Sequence, residues 1–392
     1  MTELSKRYNP YEKYGLRLVV NAAGTFTSVG GSIASPEVFK AMEDASKSFM
    51  HITWLQEWAG KEIAKATGAE AGFPTCGASS ALILAAAACI FKGTELENYE
   101  PAYPETWSHI SQKIPAHTEG LKNEFIIQKS NRNMYDHAVE VAGGHIIEVG
   151  TKEDGATREE LDATYNSEKT AAYYITDRHS GKRLNIAAVA EIAHKNGVPL
   201  IVDAAGELPP KKNLRRYLKR GADLVVFSGG KSMAGPNNSG MLAGRRDLIK
   251  LAHLQAYPFH GIGRSAKMSR ETIVGLVTAL KLYLERDEDH FFTIWEKKAR
   301  DLVEQLNKIP DVKAEIHYQT TVEEKDPTTP LVYVKTGEGY GLSVRDLYIE
   351  LETGTPSIKT STFGGVLSIN PKYLLEGDEE IIIRRIKQVL NG

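Results

Sequence analysis

The sequence predicts an α/β protein: a large domain with a mostly parallel sheet covered by helices, followed by a small α+β domain. Three observations carry this. The chain has 392 residues, more than one compact core usually holds, so two lobes with a cleft between them are expected. From about residue 58 to 250, helical periodicity alternates with short β-branched runs, which is the pattern of successive βα units. Beyond about residue 310, strand-like pieces and helices follow one another without that alternation.

The strands of the large domain read as FIIQ (125–128), HIIEV (145–149), AAYYITD (171–177), PLIVDAA (199–205) and DLVVFSG (223–229). They are continuous apolar runs, as strands buried on both faces should be. Between them lie helical segments such as REELDATY and IAAVAEIAHKNG, the second closed by Gly197 ahead of Pro199. The stretch Ala81 to Phe91 is apolar but too short to span a bilayer, and reads as a buried helix. A long amphipathic helix, ETIVGLVTALKLYLE, and a second one from His290 to Leu306 join the two domains. The small domain is expected to hold the strand-like pieces VKAEIHYQ, PLVYVK and VLSIN with helices at Val344–Leu351 and Asp378–Leu390. The expected boundaries are 1–35 for an N-terminal segment packing on the small domain, 36–285 for the large domain and 286–392 for the small one.

Composition narrows the function. With a formal net charge of −2, nothing in the charge balance calls for a polyanionic partner, so no nucleic acid is expected. Cys76 and Cys89 are too few for a disulfide framework and wrongly spaced for a metal site, which fits a reducing compartment and implies no metal. The N-terminus does not follow the basic-then-apolar order of a secretory signal, so a cytoplasmic location without membrane attachment is expected.

The chemistry-bearing residues fall at strand ends. Val202-Asp203-Ala204-Ala205 closes one strand, and Phe227-Ser228-Gly229-Gly230-Lys231 closes the next. Ligands bind at that edge of an open α/β sheet, because loops and helix N-termini converge there. Asp203 and Lys231 could simply pair as ions. They also supply the two groups that pyridoxal 5'-phosphate (PLP) needs: an amine for the Schiff base and a carboxylate for the pyridine nitrogen. A phosphate is best held by helix N-terminal amides and hydroxyls, and Thr75-Cys76-Gly77-Ala78-Ser79-Ser80 starts the apolar helix while Ser228 adds a hydroxyl on the same edge. Alone, such a helix start could be an N-cap. The ordered set of phosphate loop, strand-end acid and Ser-x-x-Lys is the specific signal.

These stretches, with YEKYGLRLVVNAAGTFTSVGGS, LQEWAGKEIAKATGAEAGFPTCGASSAL, NRNMYDHAVEVAGGHIIEVGT, FSGGKSMAGPNNSGMLAGR, GIGRSAKMSRETIVGL and LSINPKYLLEGDEEII, resemble the selenium-transferase-like branch of fold-type-I PLP enzymes. That branch includes L-seryl-tRNA(Sec) selenium transferase and D-glucosaminate-6-phosphate ammonia-lyase. The resemblance implies the aspartate-aminotransferase-like fold, Lys231 as the Schiff-base lysine and Asp203 as the pyridinium partner. It further implies Ser228, Gly77, Ala78 and Ser79 at the phosphate, Ala205 against the ring, and a homodimer or higher homo-oligomer. Where the family often places a stacking histidine this chain has Asn131, whose amide could lie on the ring less well; Tyr135 and His137 stand nearby. Arg264, in the glycine-punctuated HGIGR loop, suits a phosphate or carboxylate and could reach a neighbouring subunit's site, or be a solvated arginine. In TPSIKTSTFGG, where relatives often carry an arginine for the substrate carboxylate, Lys359 is the only cation. His51, Thr53 and Gln56 precede or open a helix that lines the cleft in relatives, while Trp54 and Trp58, four apart, read as helix packing.

The expected activity is a PLP-dependent lyase: α,β-elimination with ammonia release from a small amino acid or an amino-sugar acid. An aminotransferase, a racemase or an aldolase would use the same cofactor residues. Selenium-transferase-like β-replacement on a tRNA is the reading from a different class, and the near-neutral charge argues against it.

Overall fold

The structure is a computed structural model and describes residues 8–177, 182–320 and 327–391. It divides into two compact units, residues 33–286 and residues 8–32 together with 287–391.

The large unit is built on a seven-stranded sheet in the order β2-β8-β7-β6-β5-β3-β4. The strands are β2 (Ala71–Thr75), β3 (Glu124–Gln128), β4 (His145–Val149), β5 (Thr170–Thr176), β6 (Leu200–Asp203), β7 (Leu224–Ser228) and β8 (Gly240–Gly244). The five runs expected as strands are β3 to β7, all parallel; β8 alone is reversed, antiparallel to both β7 and β2. Both faces are covered, and the alternation along each strand divides the core into two layers. Phe125, Ile127, Val226 and Leu242 point into one, with the helix Gly77–Phe91. Ile126, Ile175, Val225, Phe227 and Met241 point into the other. The Gly77 helix is buried from Ala81 to Phe91 except at Ile83, and its run of alanines lets it lie close on the sheet.

In the smaller unit β12 (Ser361–Phe363), β13 (Val366–Ile369), β10 (Pro327–Thr336) and β9 (Val312–Thr320) form an antiparallel sheet in that order. A separate parallel pair joins β1 (Val19–Asn21) to β11 (Ser357–Lys359). The helices Glu288–Leu306, Val344–Thr353 and Asp378–Leu390 cover this unit's core, to which Val20 and Ala22 also belong.

Candidate functional site

Asp203 ends β6 with 4% of its surface exposed. Its Oδ1 accepts the N–H of Ala205 at 3.0 Å. On the adjacent strand β5, burial and then the nearby Asp203 charge push the Tyr174 phenol well above its usual range.

In the register of β6 and β7, Asp203 pairs with Val226, and Lys231 follows five residues later. Gly206 lies in the turn beyond Asp203, and a side-chain carbon placed there would come within 3.7 Å of Lys231 Nζ. The amine thus lies over the turn that follows the acid. After Lys231 the chain reverses sharply: Ala234 N–H bonds to the Lys231 carbonyl at 2.9 Å, with Ala234 held at φ 56° in the left-handed region. Backbone strain of this kind collects beside functional groups.

The third part of the site comes from the reversed strand. Gly240 pairs with Ser228 on one side and Thr75 on the other, so the three residues form one row across β7, β8 and β2. At about 4.8 Å per strand, Ser228 lies roughly 10 Å from Thr75. The Gly77 helix begins two residues after Thr75, and a Cβ on Gly240 would stand 2.6 Å from the Gly77 carbonyl carbon and 2.9 Å from the Ala78 nitrogen. Only glycine lets the helix start sit so low over the sheet. No side chain caps that start at Cys76. The amides of Ala78 and Ser79 and the hydroxyl-bearing Ser79 and half-buried Ser228 are thus placed to bind an anion with the helix dipole behind them. The Cys76 thiol is pushed up by burial, so it is not a reactive thiolate.

Around this edge lies an ionic cluster that the sequence did not disclose. Asp177, just past β5, pairs with Arg183 at 2.7 Å, and both side chains are buried. Glu207 is half-buried, and burial followed by the charges of Asp177 and Asp203 raises its carboxyl to about 8, while Lys231 and Arg216 oppose the rise. The acid four residues beyond Asp203 in VDAAGE was its one visible signal. Among the described residues no His, Cys, Asp and Glu group could hold a metal ion.

Other expected residues lie elsewhere. Asn131 is 2% exposed, its Nδ2 donates to the Thr176 carbonyl at 2.9 Å and its Oδ1 accepts the Thr176 N–H at 2.7 Å. Both polar atoms of the amide are thus bonded to the end of β5. His137 is a surface residue paired with Glu140 at 2.9 Å, and Tyr135 is half exposed. Arg264 lines an open depression of about 670 Å³ with Gln112, Ile114, His260, Ser265 and Lys267; Asp203, Ser228 and Lys231 are not part of it. Lys359, in the smaller unit, is bound to Glu352 at 2.5 Å and to the Tyr348 hydroxyl at 2.7 Å. Gln56 is buried, donating to the Tyr257 carbonyl at 2.9 Å, which is a structural bond. Trp54 corrects the packing expectation, being 64% exposed with His51 against its ring, whereas Trp58 lies under Lys281.

Comparison with known proteins extends this geometry. The L-seryl-tRNA selenium transferase family matches residues 136–325. D-glucosaminate-6-phosphate ammonia lyase of Salmonella typhimurium is 29% identical over 395 aligned residues, covering 97% of this chain and 98% of that protein. A 5'-C-glycyluridine monooxygenase-decarboxylase of a Streptomyces species is 30% identical, covering 97% of this chain and 92% of its own length. The solved structure of D-glucosaminate-6-phosphate ammonia-lyase superimposes with a TM-score of 0.81 at 30% identity, covering 98% of both chains.

Proposed function

The chain belongs to the selenium-transferase-like family of fold-type-I PLP enzymes, and from that premise we propose that it is an ammonia-lyase acting on an amino-sugar acid or a small amino acid. The observation that carries the reading is the placement, on one sheet edge, of a fixed buried carboxylate (Asp203), a lysine amine over the turn that follows it, and an uncapped helix start in the row of Ser228.

The residues fit the cofactor's chemistry part by part. Lys231 is the amine that would hold its carbonyl carbon, and Asp203 the carboxylate that would keep its ring nitrogen protonated. The amides of Gly77, Ala78 and Ser79, with the Ser228 hydroxyl, would receive its phosphate. Ala205 leaves room for the ring, since its small side chain follows the strand end directly. When bound, PLP supplies an electron sink that acidifies the substrate's α-carbon. Lys231 Nζ would serve as the base that takes the substrate's α-proton and hands a proton to the leaving group. Asp203 stays in place throughout, held by the Ala205 N–H. The net change is loss of the β-substituent with a proton, then hydrolysis by one water, which supplies the carbonyl oxygen of the 2-oxo acid and releases ammonia. Arg264, on its glycine loop, belongs in this proposal to the site of a second copy in a homodimer, and the enzyme works in the cytoplasm. No helix among the described residues is long and apolar enough to cross a membrane.

The relatives at 29% and 30% identity carry names of different reactions, so the test must separate them. Protein loaded with PLP is given a panel of D- and L-amino acids and amino-sugar acids without an acceptor, and ammonia, 2-oxo acid and carbon dioxide are measured, with Lys231→Ala as control. Catalytic ammonia and 2-oxo acid, lost in the variant, support the lyase. Carbon dioxide with oxygen uptake would replace it by an oxidative decarboxylase. Cofactor bleaching that recovers only when a 2-oxo acid is added would replace it by an aminotransferase.

A further inference from the structure

The loop that carries Arg264 is pinned to the body of its unit. The Gly263 N–H bonds to the Gln255 carbonyl at 2.9 Å, and the Ile262 N–H to the Gln255 side chain at 3.2 Å. Gln255 is itself fully buried. A Cβ on Gly261 would stand 2.5 Å from the Gln255 Cα, and one on Gly263 would stand 2.8 Å from Leu84 Cδ2 on the Gly77 helix. Two turns then set the course of residues 264–267, with the Arg264 N–H on the Gly261 carbonyl at 3.0 Å and the Ala266 N–H on the Gly263 carbonyl at 3.1 Å.

The charged side chains around the depression of about 670 Å³ are of one kind: His260, Arg264 and Lys267 line it, and no Asp or Glu does. His260 is held from behind by Glu105, whose side chain is 7% exposed and which bonds to the His260 N–H at 2.9 Å and to the ring Nδ1 at 2.8 Å. A carboxylate only accepts, so Nδ1 carries the proton and Nε2 is left for a ligand, on a side chain that is 60% exposed. Arg264 is half-buried, yet among the described residues neither its side chain nor that of Lys267 has an acid or a carbonyl to bond. The half-buried Arg132, Arg245 and Arg270 each have one. Basic side chains gathered around a cavity with their donors unused attract an anion.

We propose that this depression binds a phosphate monoester carried on a sugar-sized molecule, with Arg264, Lys267 and His260 Nε2 as the groups that take its oxygens. The guanidinium fork, the ammonium and the imidazole offer more bonds than two carboxylate oxygens can use, and suit the three terminal oxygens of a phosphate. Nε2 donates as an imidazolium or accepts from a P–OH, so it serves the ester in either charge state. The volume is that of a small-molecule site and far exceeds one phosphate, while Ile114 and Ile262 supply an apolar wall for a carbon skeleton. Asp203, Ser228 and Lys231 do not line the depression, so this phosphate is a different one from that received at the Gly77 helix. With Arg264 assigned above to the site of a second copy, the ligand is that site's substrate, a phosphorylated amino-sugar acid. To that extent the inference rests on the proposed function; the phosphate site by itself does not.

Binding of glucosamine 6-phosphate and of glucosamine to cofactor-free protein is measured by calorimetry for the wild type, Arg264→Gln, Lys267→Gln and His260→Asn. Arg158→Gln, at a surface arginine paired with Glu191, is the control for net charge. The wild type should bind the phosphate and not glucosamine. Losing Arg264 or Lys267 should weaken the phosphate by about 10- to 100-fold, and Arg158→Gln should leave it unchanged. Equal binding of both sugars, or wild-type affinity in the three loop variants, overturns the proposal. So does loss of binding in Ser228→Ala instead, which would put the sugar phosphate at the Gly77 helix, and so does an Arg264→Gln protein that weakens PLP but not glucosamine 6-phosphate. Should the loop variants fail to fold, the wild type alone decides: glucosamine 6-phosphate should slow acetylation of Lys267, read by mass spectrometry, and absence of protection overturns the proposal. The proposed lyase fails separately. A protein that passes these tests but never acquires the absorbance of PLP bound through Lys231 keeps the phosphate site and loses its substrate reading.

Discussion

Replacing Gly240 by alanine adds a single carbon at the point where the reversed strand meets the Gly77 helix. That carbon would lie 2.6 Å from the Gly77 carbonyl carbon and 2.9 Å from both the Ala78 nitrogen and the Gly77 oxygen. Ordinary non-bonded carbon contacts need about 3.5–4.0 Å, so roughly 1 Å must be found. Every atom involved is backbone, and Gly240 is bonded into the sheet on both sides, so the helix start has to lift. Forcing an extra carbon into such packing costs about 1–3 kcal/mol. In a unit of this size that corresponds to a fall in melting temperature of about 2–12 °C. Lifting the amides away from a phosphate should also lose about one charge-assisted hydrogen bond, or roughly a 10- to 100-fold weakening. Thermal melts of cofactor-free protein test the first figure. Fluorescence titrations with PLP and with pyridoxal, which has no phosphate, test the second. PLP should weaken far more than pyridoxal. A wild-type melt, or equal weakening of both ligands, would refute the placement of the phosphate at this helix.

Three further outcomes follow from other parts of the structure. Asn131→Ala removes both bonds to Thr176 and leaves two backbone groups at the end of β5 without partners, so it should destabilise the protein by about 2–4 kcal/mol in urea unfolding while leaving cofactor absorbance unchanged in shape. Burial lowers His253 to about 4, so between about 4 and its unfolded value near 6.5 the unfolded chain binds more protons than the folded one. Stability from this group is therefore complete above pH 6.5 and declines as pH falls towards 4, by about 3 kcal/mol, a slope that His253→Gln should flatten in melts taken across that window. Glu207 works in the opposite direction, since its raised carboxyl favours the folded state at acid pH and loses that contribution as pH climbs from about 4.5 to 8; Glu207→Gln should abolish a decline in stability over that range.

The parallel strands were legible because burial on both faces forces uninterrupted runs such as Ile201-Val202 and Val225-Val226, and no other pressure acts on those positions. β2 was legible only from the helix start it leads into, since Ala-Gly-Phe-Pro-Thr contains both residues that usually disqualify a strand; Pro74 is tolerated because β2 lies at the sheet's edge. β8 hid for a related reason, its five residues beginning and ending in glycine. Asp203, Ser228 and Lys231 could be found because strand ends order them along the sequence. Tyr174 and Asn131 could not be assigned in that way. One is a strand residue brought near Asp203 only through the pairing of β5 with β6, and the other bonds both ends of its amide to Thr176 on β5, some 45 residues later. Glu207 needed the packing of its turn against residues 231–232, a contact between segments about 24 residues apart that no local pattern announces.

The reversed strand β8 also sets an order for assembly. Among the described residues β2 has no neighbour in the sheet except β8, and β8 is made of residues 240–244, some 165 positions later in the chain. A chain emerging from the ribosome can therefore pair β3 to β7 among themselves while the Gly77 helix start still has no strand to be seated on. Seating it is the last closure of the sheet, and it is the same event that completes the anion cradle. A cofactor that enters through that cradle would act as a latch on the final step, so holoprotein should resist unfolding first at β2 and β8, where hydrogen exchange in the cofactor-free protein is expected to be fastest.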